Sequence, residues 1–196
     1  MEARRTLSAL FLYTAIDGRA IIRSTPPGPL ADTNTEGRYG NSARMSEWPH
    51  TLIRTELLQF IRSHVMQPAN WRFTQLEVVH DALSRVIHLD AEELCVVSCF
   101  IDGQRWYVMT TARVFGIYRG SRFEFSPLQI RKCTWGDFKQ EGRLQIEVAE
   151  IQLIGGDKIT LAYEAGFAAI APIYYERFWH TRFPLLERVA DSPDDG

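Results

Sequence analysis

The 196-residue chain is 45% hydrophobic and 23% charged, ordinary globular usage from which one domain can build a core without disulfide or metal staples. Its formal net charge of -2 excludes a global basic field, and with it general electrostatic attraction to nucleic acid or anionic lipid. No apolar run approaches the roughly 20 residues of a membrane-spanning helix.

Near the start, Arg4-Arg5 followed by the stretch Leu7 to Ala15 loosely imitates a signal peptide. Glu2 in the positive region and Ser8 inside the apolar one argue against export, so a cytoplasmic location is expected. Residues 24–47 then turn Pro-, Gly- and Asn-rich, with few apolar side chains to offset their ordering entropy. Residues 1–45 therefore read as a disordered leader, or as sequence ahead of a true start at Met45. A single α+β domain is expected over 46–188, and residues 189–196 form a short acidic tail.

Within that domain, Ile53, Leu57, Phe60, Ile61 and Val65 recur at helical spacing, which predicts a helix over 51–66, stopped by Pro68. A second helix is predicted over 74–88. Thr74-Gln75-Leu76-Glu77 fits a capping box, and Leu76, Val79, Leu83, Val86 and Ile87 make one stripe.

From Leu94 the period changes to two. Strands are predicted over 94–101, 105–111, 114–119, 122–125, 128–135, 144–153 and 158–163, with a change of parity near Ala149-Glu150 that implies a bulge or turn. Asp102-Gly103 reads as a tight hairpin in which Gly103 takes positive φ. Such spacing predicts an antiparallel meandering barrel or sandwich of six to seven strands over 92–163. A C-terminal helix over 166–183 closes it, regular from about Ala171 because Pro172 is tolerated only in a first turn. Phe167, Ile170, Tyr174 and Phe178 make its expected buried face.

Strands followed by one amphipathic helix resemble the pleckstrin-homology-like barrel. The stretch Trp106 to Val114, with Thr110-Thr111-Ala112-Arg113 at its turn, is similar to the bacterial version. The resemblance covers about residues 92–183 and implies a binding scaffold, with the two N-terminal helices packed outside it. Lipid-binding members present several bases in the first hairpin. Here Asp102-Gly103-Gln104-Arg105 offers one base beside one acid, so lipid binding is not expected. The run from Glu164 to Tyr175 resembles immunity-type proteins, which neutralise a toxin by plugging its active site.

The chemistry-bearing residues show no catalytic spacing. Neither GxxxxGK[ST] nor GxGxxG occurs, and His50, His64, His80, His88 and His180 show no HExxH spacing. Cys95, Cys99 and Cys133 include no CxxC. They read as small core residues in a reducing compartment, with a zinc or redox site, or a Cys133–His pair, as the alternative. Asp90, Glu92, Glu93, Glu147, Glu150 and Glu164 read as helix-entry charge and strand alternation. No metal or cofactor is expected.

Aromatic and Arg residues concentrate in the last helix. Tyr174, Tyr175, Arg177, Trp179 and Arg182 are the types enriched at interface hot spots, and they form the candidate interaction surface. The competing reading is a helix buried on two faces, one against the barrel and one against the N-terminal helices. The expectation is thus a non-enzymatic domain that binds a protein partner, in its narrower form a toxin. An enzyme with a site assembled from distant residues, or a membrane-surface adaptor, is the alternative.

Overall fold

A computed structural model describes residues 48–139 and 145–184; the expected leader (1–45) and acidic tail (189–196) lie outside the described residues. The predicted first helix is present as α1 (His50–Arg62). Ile53, Leu57 and Ile61 repeat every four residues and are buried together with Leu58, so one stripe faces inward. Arg62 stands in the last turn, where a cation suits the helix dipole.

The predicted second helix does not form. Thr74–Leu76 is instead a short strand, β1, paired antiparallel with β2 (Cys95–Asp102) through Thr74↔Cys99, Gln75↔Ser98 and Leu76↔Val97. The capping box fails because the Thr74 amide donates to Glu164 at 2.8 Å and not to Glu77, and the Glu77 amide donates to Val96 O and not to the Thr74 hydroxyl. Past β1 the chain makes isolated turns: His80 O accepts the amides of Leu83 and Ser84, and Leu83 O those of Val86 and Ile87. Ser98 holds this segment down by accepting from the His80 amide and donating to Val78 O. Most of the stripe is nonetheless used. Leu83, Val79 and Ile87 pack with Cys95 and Val108 on the outer side of the sheet, while Val86 is 67% exposed.

Then comes the meander: β3 (Arg105–Thr110), β4 (Val114–Tyr118) and β5 (Ser121–Phe125) complete a five-stranded sheet in the order β1-β2-β3-β4-β5. The β2–β3 hairpin falls where it was expected, yet Gly103 is not among the positive-φ residues. Asp102 makes the turn instead, its carboxylate accepting the Gln104 amide at 2.9 Å and two Arg105 bonds at 2.9 and 2.6 Å. Positive φ appears two hairpins later, between β4 and β5, at Arg119 (50°) and Gly120 (83°), the pair that a two-residue turn of primed type requires.

A 3-10 turn at Pro127–Gln129 carries the chain into β6 (Ile130–Trp135), β7 (Ile146–Leu153) and β8 (Lys158–Glu164), a separate three-stranded sheet. The expected bulge near Ala149-Glu150 is absent: β7 pairs with β8 without a shift from Ile146↔Glu164 to Gln152↔Lys158. Val148, read as inward, is 41% exposed, whereas Ala149, Ile151 and Leu153 carry the buried face. An alanine among polar residues hid the true parity.

The protein is therefore α+β, with two antiparallel sheets and not a closed barrel. One reason is visible between β8 and β1. There the Glu164 carboxylate, 8% exposed, accepts the amides of Arg72, Phe73 and Thr74 at 2.7–2.8 Å. Amides bound to a carboxylate cannot extend a ladder. The last element follows a 3-10 turn at Gly166–Ala169 and is α2 (Ile170–Arg182). Pro172 falls in its first turn, as expected, while Phe167 is 51% exposed and not core. Both helices and both sheets share one apolar cluster.

Candidate interaction surface

Helix α2 runs between α1 and the sheets, and that position divides its candidate residues. Tyr175 and Trp179 are both 0% exposed, which removes them from the candidate surface. The Tyr175 hydroxyl donates to Thr110 O at 2.7 Å. Trp179 meets Tyr175 and Phe178 edge-on and stacks against Phe183, at centroid distances of 6.1, 5.6 and 5.7 Å. Two buried faces account for this half of the aromatic excess.

The other half reaches the surface. Tyr174 is half-buried, stacked on His64 of the turn after α1 at 3.9 Å and covered by the Arg177 guanidinium at 5.3 Å. Arg177 and Arg182 are exposed, and Arg182 crosses to Glu56 of α1 at 2.6 Å. These contacts line the seam between the two helices.

The thiols are poor nucleophiles. Burial pushes the Cys95 and Cys99 thiols up to about 12, and burial followed by the nearby Glu176 carboxylate raises Cys133 as well. His180 Nε2 lies 2.8 Å from the Glu176 carboxylate. His50 Nδ1 lies 2.6 Å from Thr111 Oγ1, His80 Nδ1 accepts the Ala82 amide, and His88 is exposed. Among the described residues, no group of three His, Cys, Asp or Glu side chains could hold a metal ion, and no helix is long and apolar enough to cross a membrane.

Two carboxylates read from the sequence as surface charge are structural. Glu93 is 5% exposed and receives Thr110 Oγ1 at 2.5 Å and Arg113 in a two-pronged contact at 3.0 Å. Burial alone would push its carboxyl up; the bonds from Arg113 and Thr110 outweigh that and hold it below the usual carboxylate range. Thr110 Oγ1 also accepts the amides of Ala112 and Arg113. The Thr110-Thr111-Ala112-Arg113 turn is thus a buried clamp and not a binding loop. Glu164 is the second, and Glu150 pairs across the strands with Lys158 at 3.3 Å.

On the far side of α1 from α2 lies an open groove of about 710 Å3, lined by Thr51, Arg54, Thr55, Leu58, Arg62 and Glu77. Beyond Arg62 a second groove of about 420 Å3 continues over Pro68, Trp71, Leu76 and Val78. Arg62 lines both, and Glu77 lines the first. The Glu77 φ of 70° is costly for a residue with a Cβ, on the order of 1–3 kcal/mol. Three contacts keep it there: its amide donates to Val96 O at 2.8 Å, Arg54 Nη2 donates to its carbonyl at 2.8 Å, and its carboxylate pairs with Arg62. Arg54 also lies 3.7 Å from that carboxylate and donates through Nε to Cys95 O at 3.1 Å. One acid therefore faces two guanidinium groups on the groove's rim. Val78, 53% exposed and lining the second groove, places apolar surface beside it.

Arg54 and Arg62 did not stand out in the sequence, and Glu77 did so only as the acid of the expected capping box, where instead it pairs with Arg62. Compared with known proteins, the chain matches no family model, no curated protein and no solved structure, so its residues and their geometry carry the functional reading.

Proposed function

We propose that this chain is a non-enzymatic protein-binding domain built on a pleckstrin-homology-like scaffold. In its narrowest form it is an immunity-type protein that occupies the active site of a toxin. The observation that carries the reading is the groove beside α1: apolar surface on its floor, a rim with more cation than anion, and exposed Val78 in its continuation. Apolar patches with a polar rim mark places where proteins meet. Tyr174, Arg177 and Arg182 belong to the proposed surface on the other flank of α1; Tyr175 and Trp179 support it from within. The bidentate hold of Asp102 on Arg105 favours a protein partner over a lipid headgroup, since it leaves the first hairpin without a free base.

The test is affinity capture from the native host, followed by titration of the purified partner. A 1:1 complex is expected, weakened at least tenfold by the groove-filling pair Thr55→Trp and Gln59→Arg, both positions lining the first groove, exposed and outside the core. In the narrow form, excess chain abolishes the partner's toxic activity. Substrate turnover by the chain itself, abolished by one changed histidine, cysteine or carboxylate, overturns the proposal.

A further inference from the structure

We infer that the groove receives an extended acidic segment of the partner, which pairs with the open edge of β1 and presents a carboxylate that replaces Glu77 on Arg62. The inference rests on the protein-binding reading and specifies what is bound. It starts from the backbone. On either side of β1, Phe73 O accepts from Phe100 and the Glu77 amide donates to Val96 O, so that carbonyl and that amide face β2. The Thr74 amide points the other way, to Glu164. Alternation along an antiparallel strand then aims the amide and carbonyl of Leu76 away from β2. Leu76 lines the second groove, and among the described residues no strand pairs with that edge.

Charge selects what can lie there. Arg54 and Arg62 face a single carboxylate across the rim, which leaves a surplus positive charge facing the groove. Arg54 is committed to the carbonyls of Cys95 and Glu77 and keeps the turn in place. Arg62 has no such duty: its side chain is 58% exposed and can move to an arriving acid. Glu77 then acts as a resident stand-in on Arg62, the residue shared by the two grooves, and is displaced when the segment binds. One strand residue offers only two backbone bonds, so the ladder sets direction. Trp71, Leu76 and Val78 beside the strand, and the charge contact, supply the affinity.

The probe is a phage-displayed random 12-residue peptide library panned on the full chain. Enrichment of acidic, proline-free sequences with alternating apolar residues is expected. A synthetic peptide from that set, followed by fluorescence anisotropy, should bind at least tenfold more weakly to Arg62→Glu. Replacing its acid with lysine should restore binding to that variant. Glu77→Gln should tighten binding several-fold by removing the competitor, whereas a merely structural Glu77 would lose affinity on the same change. N-methylation of the one peptide amide that faces Leu76 should weaken binding several-fold, and indifference to it overturns the strand pairing. No enrichment, an enriched basic or proline-rich class, or indifference to Arg62→Glu overturns the inference. A captured protein partner that binds Arg62→Glu and Glu77→Gln with unchanged affinity overturns it too, while leaving the protein-binding reading intact.

Discussion

Truncating Trp179 separates a core role from a surface role in a single measurement. The ring is 0% exposed and touches Tyr175, Phe178 and Phe183. A buried tryptophan removes roughly 200 Å2 from water, worth about 5 kcal/mol at 25 cal/mol per Å2. Alanine recovers some of that area and some wall collapse follows, so Trp179→Ala should cost about 3–5 kcal/mol, the range found for large aromatic deletions. With a urea slope near 2 kcal/mol per M, the unfolding midpoint should fall by about 2 M. Arg177→Ala, on the exposed side of the same helix, should stay within about 0.5 kcal/mol of the parent. Circular dichroism against urea reads both. A Trp179→Ala protein less than about 1 kcal/mol weaker than the parent would refute the packing argument. So would an Arg177→Ala loss of equal size.

How much of this was legible beforehand depends on whether a signal was local. The strands from Cys95 to Glu164 were readable because hairpin partners lie close in sequence and each strand shows its own alternation. The helix expected over 74–88 was not, for a physical reason. Its stripe of Leu76, Val79, Leu83 and Ile87 satisfies a helical period, but what decides the conformation is remote: Ser98 fastens residues 78 and 80, and Glu164 takes the Thr74 amide. The choice between barrel and sandwich could not be read for the same reason: Glu164, which occupies the amides of residues 72–74, reads as polar alternation in the sequence.

The candidate surface divides along the same line. Residue type alone marked Tyr174 through Arg182 and could not say which faces α1 would cover. The groove was illegible because Arg54, Arg62 and Glu77 meet only through tertiary packing. The Thr110-Thr111-Ala112-Arg113 turn was visible as a motif, yet its partner Glu93 lies 17 to 20 positions earlier, so its clamp role could not be read.

Two further outcomes test the backbone and the electrostatics. Gly120 has φ of 83°, and an added Cβ would meet Gln104 Oε1 at 3.3 Å, while Gly103 has open space around it. Gly120→Val should therefore cost about 1–2 kcal/mol and Gly103→Ala less than about 0.5; thermal unfolding with the reverse order would show that the two turns are misassigned. Glu93 gives the pH dependence. Its folded pKa is depressed by Arg113 and Thr110, so the stability it adds is fully present above the unfolded value of about 4.3 and is lost as pH falls through the folded one. Glu93→Gln keeps the shape and removes the charge-assisted bonds, which should cost about 2 kcal/mol at pH 7. On acidification the parent protonates Glu93 and loses those same bonds, so the two stability curves should converge below about pH 4. A gap that stays constant from pH 7 to pH 3 would mean that Arg113 and Thr110 do not discriminate the carboxylate from its neutral form, and the buried clamp would then be held by packing alone.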